Sequence, residues 1–177
     1  MSSPVRKFPL LVSTALLSAV AGPGLAGDLS VSVDLPRLNT AAYHRPYVAI
    51  WIEQPDQTAV RTLAVWYQVA AGRGGEGEGK DWLKDMRTWW RKGGRALTLP
   101  ADGVSGATRA PGTQTVRIAA ARLSNLPAGQ YNVVVEAARE QGGRELVRVP
   151  FRWGGNAGRT SATGSTELGT VSVAVTR

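Results

Sequence analysis

The sequence has 177 residues, of which 43% are apolar and 19% are charged, proportions typical of a folded globular protein. Lysines and arginines number 21 and acidic residues 13, which gives a formal net charge of +8. The chain contains no cysteine and a single histidine, His44. These counts exclude disulfides, iron–sulfur clusters, cysteine nucleophiles and cysteine-ligated zinc, and they leave histidine-based catalysis and metal binding almost no residues to use.

The N-terminal segment, residues 1–26, has the features of a secretory signal peptide. Arg6 and Lys7 precede an apolar run, and small residues follow up to Ala26. Because the apolar run is too short to span a bilayer as a stable helix, we expect cleavage after Ala26 and no membrane span once the signal is removed. The product would be an exported, soluble protein of the periplasm with one domain at residues 27–177. Export argues against nucleic acid as a partner.

Several segments of the mature chain have the patterns of short β-strands. Alternating apolar and polar residues predict a strand at residues 29–35, and a mostly apolar run predicts a second at residues 47–52, buried on both faces. Residues 60–69 read as the hairpin partner of the second strand. Further strands are predicted at residues 113–119, 130–138, 145–153 and 168–175. Glycine-rich or polar segments near residues 72–79 and 154–166 are expected to be flexible.

One helix is predicted within this series of strands. From Lys80 to Lys92 the apolar residues recur at helical spacing, and they are Trp82, Leu83, Met86, Trp89 and Trp90. Gly93 and Gly94 are typical of a helix end. Short strands, turns and one inserted amphipathic helix at about residues 80–92 predict an all-β protein, an antiparallel immunoglobulin-like β-sandwich.

Carboxylates are spread along one predicted hairpin. Glu136, Glu140 and Glu145 fall on it, and we expect them to be exposed charges at strand ends rather than an acid–base pair. The sequence contains no Ser-His-Asp set, P-loop or zinc-protease motif, so a hydrolytic enzyme would lack a reactive residue. We therefore expect neither catalytic residues nor a metal site.

The segment between the helix and the next strand, residues 100–112, is predicted to be a loop. It contains Asp102-Gly103-Val104-Ser105-Gly106-Ala107-Thr108, whose small residues would let another molecule approach the backbone closely. Pro111 and Gly112 are expected to keep the loop from joining either neighbouring strand. An ordinary surface turn with no modification also fits this composition.

The same loop resembles the acceptor motif of proteins that carry covalently bound FMN, such as the flavin-bearing subunits of sodium-translocating NADH:quinone reductase. In that motif an Asp is followed after two residues by Ser or Thr, then by Gly, Ala and a final Thr or Ser. The matching residues here are Asp102, Ser105, Gly106, Ala107 and Thr108. The resemblance implies that an FAD-dependent flavin transferase moves FMN onto the Thr108 hydroxyl as a phosphoester and releases AMP.

The wider chain resembles a group of predicted periplasmic proteins of unknown function, which look like immunoglobulin-like sandwiches and occur with flavin transferases and membrane-bound reductases. The resemblance covers most of residues 28–153 and includes Tyr47-Val48-Ala49-Ile50-Trp51-Ile52-Glu53 and the loop of residues 102–112. It implies a redox carrier, not an enzyme, that passes electrons between a membrane-bound reductase and an extracytosolic acceptor.

Residues near the loop are candidates for contact with the cofactor. Trp82, Trp89 and Trp90 could form a stacking wall for a flavin ring, and Arg109 could neutralise the phosphodiester next to Thr108. Asp102 could hydrogen-bond the loop's own amides or help to dock the transferase. The tryptophans could instead pack the helix onto the sheet.

A different class of function also fits the sequence. An unmodified periplasmic binding or adaptor module would use its basic, aromatic helix to hold a protein or an anionic ligand. The positive charge would steer such partners toward the protein, or would simply keep it in solution.

Overall fold

The computed structural model describes residues 27–40, 43–69 and 79–176. The expected signal peptide and residues 72–78 of the glycine-rich segment lie outside these residues. The described part contains the strands β1 (Leu29–Leu35), β2 (Tyr47–Glu53), β3 (Ala59–Tyr67), β4 (Ser105–Ala107), β5 (Gly112–Ile118), β6 (Gly129–Ala138), β7 (Arg144–Trp153), β8 (Gly158–Thr163) and β9 (Thr170–Val175).

The strands form two open sheets that pack face to face, which confirms the all-β sandwich. Sheet A has the order β5-β1-β9-β8, and sheet B has the order β4-β3-β2-β6-β7. Every pairing is antiparallel except that of β3 with β4, which is parallel. In β1 the period-two pattern places Leu29, Val31, Val33 and Leu35 in the core between the sheets, because alternate side chains of a strand point to the same face.

Sheet B is covered on its outer face as well. A second apolar cluster lies there, and its buried members are Ala49, Trp51, Val65, Tyr67, Leu83, Met86, Trp89, Val134 and Ala138. The strand β2 therefore contributes side chains to both clusters, as its continuous apolar sequence predicted.

The predicted single helix at residues 80–92 is instead two shorter elements. A 3₁₀ helix spans Gly79–Asp85, and the α-helix α1 spans Arg87–Lys92. Met86 between them has a ψ of 69°, which is not helical. Further 3₁₀ helices span Gly94–Ala96 and Ala120–Leu123.

The start of α1 is fixed by a carboxylate from the sheet. Glu136 on β6 is fully buried and accepts hydrogen bonds from the backbone N–H groups of Thr88 (3.1 Å) and Trp89 (2.7 Å). These N–H groups have no partner within a helix that begins at Arg87, so the carboxylate satisfies them. Arg144 pairs with the same carboxylate. The expectation that Glu136 is an exposed strand-end charge is therefore wrong.

A second buried carboxylate holds the other end of α1. Glu53 on β2 accepts hydrogen bonds from the Lys92 ammonium (2.7 Å), the Trp51 indole (3.0 Å) and the Arg148 guanidinium (3.1 Å). Burial alone would raise the pKa of Glu53, but these three donors outweigh it and lower that pKa. The helical segment is thus attached to sheet B by charge-assisted hydrogen bonds at both ends of α1.

Two strands lie where none was predicted. The strand β4 lies inside the expected loop, and β8 lies inside the segment of residues 154–166 that was expected to be flexible. Both are rich in small or polar residues and have few buried side chains, so neither has an apolar pattern to predict it. Within the described ranges, no helix is long and apolar enough to cross a bilayer.

Candidate functional site

A tight turn introduces the flavin-acceptor-like segment. The carbonyl of Ala101 accepts hydrogen bonds from the N–H groups of Val104 (3.1 Å) and Ser105 (2.9 Å), while the Ser105 hydroxyl accepts one from the Ala101 N–H (3.0 Å). Gly103 has a φ of +67°, a backbone conformation that residues other than glycine rarely adopt. Arg122 donates to the Gly103 carbonyl at 2.9 Å. Ser105 and Gly103 are therefore needed for the shape of the turn itself.

After the turn, the segment joins sheet B as an edge strand. The N–H of Val65 donates to the Val104 carbonyl at 2.8 Å, and Val65, Trp66 and Tyr67 pair in register with Ser105, Gly106 and Ala107. Gly112 then begins β5 opposite Leu35. The expectation that Pro111 and Gly112 keep the loop out of both sheets is therefore wrong. Nothing in the sequence pattern predicted this pairing. Backbone groups of β4 form it, so it needs no apolar pattern in the segment.

Arg109 lies over an aromatic ring of β3. Its guanidinium carbon is 5.5 Å from the centre of the Trp66 ring, a cation–π contact. Gly106 lies beside this contact, since a Cβ there would be 3.4 Å from Trp66 and 3.6 Å from Arg109. The positive charge next to Thr108 is thus held in a defined place.

Asp102 lies at the start of the turn with an exposed side chain. Among the described residues no hydrogen bond reaches its carboxylate, so the structure does not support the interpretation that Asp102 holds the loop's own amides. The alternative role, docking of the transferase, remains a prediction.

Thr108 is half-buried and lines a cleft of about 840 Å³ on the outer side of sheet B. This volume is within the range of pockets that hold small ligands and cofactors. The rest of the wall comes from the approach to β2 and its first residue, from the residue after β3, from the 3₁₀ helix, and from the end of β6 with the turn that follows. These residues are Tyr43, His44, Arg45, Tyr47, Gln68, Asp81, Trp82, Asp85, Ala138, Arg139, Glu140 and Gln141. Thr108, the last residue of the acceptor-like motif, therefore lines the larger of the two described clefts.

The charged groups of the cleft are partly paired. Arg139 makes a bidentate ion pair with the buried Glu167, with distances of 2.9 and 3.0 Å, which raises its pKa further. His44 Nδ1 lies 3.3 Å from a carboxylate oxygen of Glu140. Asp81 and Asp85 flank Trp82 on the 3₁₀ helix and are exposed.

Tyr47 brings a phenol to the same cleft. Partial burial is the main cause that raises the pKa of this phenol, and the charge of Glu140 adds to it, although a hydrogen bond with the backbone of Gln68 acts in the other direction. Tyr47 is therefore a neutral hydrogen-bonding aromatic residue at neutral pH.

Two of the three tryptophans predicted as stacking residues, Trp89 and Trp90, do not line this cleft. Trp89 is 2% exposed, and its indole N–H donates to the Thr62 hydroxyl at 3.0 Å. Its ring packs against Gly94, where a Cβ would be only 2.7 Å away. Trp90 is half-buried against the same cluster, with its ring centre 6.2 Å from that of Trp89. Both residues pack α1 onto sheet B, as the alternative interpretation had it.

The tryptophan that does line the cleft is Trp82, which is 59% exposed. The sequence predicted Trp82 and Trp89 on the apolar face of one helix. Because the 3₁₀ helix ends before Met86 and α1 begins after it, the two side chains lie apart. An exposed indole in a cleft is more informative than a buried one, because large aromatic side chains are normally covered. Sequence spacing alone cannot show this separation.

Comparison with known proteins places the chain in a family. Residues 28–170 match the family described as "Predicted periplasmic protein (DUF2271)". No curated protein and no solved structure matches the chain. Because the match covers most of the sequence, the chain belongs to this family of periplasmic proteins.

Proposed function

We propose that the protein carries FMN as a phosphoester on the Thr108 hydroxyl and serves as a periplasmic electron carrier, without a substrate of its own. When bound, FMN supplies reversible acceptance and donation of electrons. The observation that carries the proposal is the position of Thr108, the last residue of the acceptor-like motif, in the wall of the 840 Å³ cleft.

The attachment step uses FAD and an external flavin transferase. The Thr108 oxygen forms a bond to the phosphorus of the FMN half of FAD, and the bond from that phosphorus to the bridging oxygen breaks. AMP leaves with that oxygen, and the hydroxyl proton passes to a base of the transferase. The flavin neither gains nor loses electrons in this step.

The segment around Thr108 has the shape that such a step requires. The strand β4 lies at the edge of sheet B, and within residues 27–40, 43–69 and 79–176 one of its sides has no strand partner, so another protein could approach there. Ala107 is exposed and Gly106 has no side chain, which allows a transferase to approach the backbone closely. The exposed Asp102 offers a charged contact to the transferase.

Arg109 supports a phosphate at this position. Its guanidinium is held over Trp66, one residue from Thr108, so a positive charge is present before any phosphate arrives. A phosphodiester on Thr108 would gain a charge-assisted hydrogen bond or a close ion pair from it. The proposed electron donor is a membrane-bound reductase, and the acceptor is another protein outside the cytosol.

Intact mass tests the attachment directly. The protein is co-expressed with an active flavin transferase, purified from the periplasm and mapped by peptide mass spectrometry. We expect an added mass of FMN less one water on the peptide that contains Thr108. Thr108→Ala should lack this mass, Thr108→Ser should retain it, and Thr113→Ala, which removes an exposed hydroxyl on the next strand, should be loaded like the wild type.

An unmodified wild-type mass, with the transferase active on a control substrate, would contradict the carrier proposal. A binding module would then be the better account, since the exposed Trp82 and the cleft around it also suit a small aromatic or anionic ligand.

A further inference from the structure

Trp82 differs from every other tryptophan of the chain in its exposure. Trp51, Trp66, Trp89 and Trp153 are at most 3% exposed, and Trp90 is half-buried. Trp82 is 59% exposed and lines the same cleft as Thr108. The exposed indole therefore offers a flat aromatic face to whatever occupies the cleft.

The exposure of Trp82 results from a fixed placement of the 3₁₀ helix. Gly79, at the start of this helix, is buried so closely that a Cβ would clash with the Tyr47 hydroxyl and lie 2.8 Å from Gln68 Cβ. On the other side of Trp82, Leu83 and Met86 are buried against sheet B. The helix is therefore anchored before and after Trp82, which leaves the indole projecting at the cleft.

The cleft has the features that an attached flavin ring would need. Its aromatic residues are Trp82, Tyr43 and Tyr47, and Thr108 lines the same space. A cofactor joined only through its phosphate can swing on its ribityl chain, so the attachment at Thr108 alone does not hold the ring. A second contact would fix it, and Trp82 offers the largest exposed aromatic surface in the wall.

We infer that Trp82 is a positioning residue on which the isoalloxazine ring stacks when FMN is attached to Thr108. This inference rests on the proposed function and adds to it the place where the ring lies. By the usual strength of an aromatic pair, stacking favours the docked over the free ring by roughly 2- to 12-fold. Trp89 and Trp90 take no part in the contact.

Flavin fluorescence tests this inference separately from attachment. A stacked indole quenches flavin emission, because it donates an electron to the excited ring. We compare wild type, Trp82→Leu and Trp82→Phe, each loaded by the transferase and checked by intact mass for equal flavin content. At equal flavin concentration, both variants should emit about 2-fold or more above wild type, because the indole, the strongest electron donor of the cleft, is removed while the phenols of Tyr43 and Tyr47 remain.

The matched control is Trp90→Phe, which changes a nearby tryptophan that does not line the cleft. Its flavin emission should equal that of wild type. Trp82→Phe also protects the test against a folding defect, because it keeps an aromatic ring at the same position. Circular dichroism of each variant verifies that the sandwich is intact.

The outcomes separate the two proposals. Full added mass with equal emission from wild type and both Trp82 variants overturns the stacking inference and leaves the attachment standing. Absence of the added mass from wild type overturns both. Increased emission from Trp90→Phe equal to that from Trp82→Phe would likewise contradict a specific role for Trp82.

Discussion

Tyr67 is buried next to β4 with a phenol oxygen that has no hydrogen-bond partner among the described residues. It pairs with Ala107 across β3 and β4 and packs in the outer cluster of sheet B. A buried hydroxyl without a partner costs free energy, because it gives up its bonds to water.

We expect Tyr67→Phe to leave the free energy of unfolding unchanged or to raise it by roughly 0.5–1 kcal/mol, since it removes the unsatisfied oxygen and keeps the ring. Urea unfolding at neutral pH measures the change. A loss of more than about 1 kcal/mol would show that the oxygen has a partner in solution.

Glu145 is surrounded by donors from the turn between β8 and β9. Its carboxylate accepts hydrogen bonds from the backbone N–H groups of Ser165, Thr166, Glu167 and Leu168, at 2.6 to 3.0 Å. Partial burial acts to raise its pKa, but these donors outweigh it and lower the pKa to about 2. The predicted role as a simple strand-end charge is therefore incomplete.

The lowered pKa makes the contribution of Glu145 dependent on pH. Because the pKa is lower in the folded state than its usual value of 4.5, the stabilisation is complete above pH 4.5 and is lost as the pH falls toward 2. We expect Glu145→Gln to reduce the free energy of unfolding by about 1–2 kcal/mol at pH 7, after allowance for solvent screening, and by much less at pH 2.5.

Urea unfolding of wild type and Glu145→Gln at both pH values measures this difference. Glu140→Gln is the control, because Glu140 is exposed and should change stability by less than about 0.5 kcal/mol. A difference between wild type and Glu145→Gln that stays constant with pH would contradict the assignment.

At the scale of elements, α1 depends on contacts from the sheet. It has six residues, fewer than an isolated helix needs in water, and its first turn has no side-chain cap of its own. The Glu136 carboxylate supplies that cap from β6. The two sequence segments lie far apart in the chain, so no local pattern predicts the contact.

We expect Glu136→Gln to lower the free energy of unfolding by about 2–4 kcal/mol, because it leaves Arg144 without its charge partner and weakens the bonds to the Thr88 and Trp89 N–H groups. Thermal and urea unfolding measure the loss. A change no larger than that of the exposed control Glu140→Gln would mean that the cap contributes little.

The elements differ in how well the sequence predicted them. The alternation from Leu29 to Leu35 matched β1 residue for residue, because one face of that strand is buried and the other is not. The helix broke at Met86, where packing of Leu83, Met86 and Trp89 against the sheet replaced a continuous α-helical face. The strands β4 and β8 are held at sheet edges by backbone bonds, which small and polar residues make as well as apolar ones.

At the scale of the whole molecule, the cleft lacks the strong positive excess of the chain. The chain is basic, with a formal charge of +8, whereas the cleft is lined by the carboxylates of Asp81, Asp85 and Glu140 and by the guanidiniums of Arg45 and Arg139. Sequence analysis identified the acceptor-like motif but not this cleft, because its wall combines distant segments that the strand pairing brings to one end of sheet B. Trp82 belongs to the same set of residues that only the fold brings together.

The cleft carboxylates should lower the reduction potential of FMN held there, because reduction adds negative charge near them. We expect Asp81→Asn combined with Asp85→Asn to raise the midpoint potential by roughly 10–40 mV. Redox titration of the loaded proteins measures the shift, with Asp56→Asn as a control on the β2–β3 turn, outside the cleft. An equal potential in all three proteins would place the ring away from the 3₁₀ helix.

Among the described residues the three-residue strand β4 pairs with β3 alone, and this has a consequence for the stage at which the proposed cofactor could be attached. Detaching an edge strand of this length breaks few bonds and leaves the two-sheet core intact, so the acceptor segment is available by local opening rather than by global unfolding. On the proposed function, flavin attachment would then not have to precede folding. A folded protein without FMN would stay competent for attachment and would be converted to the redox-active form whenever FAD and the transferase are present.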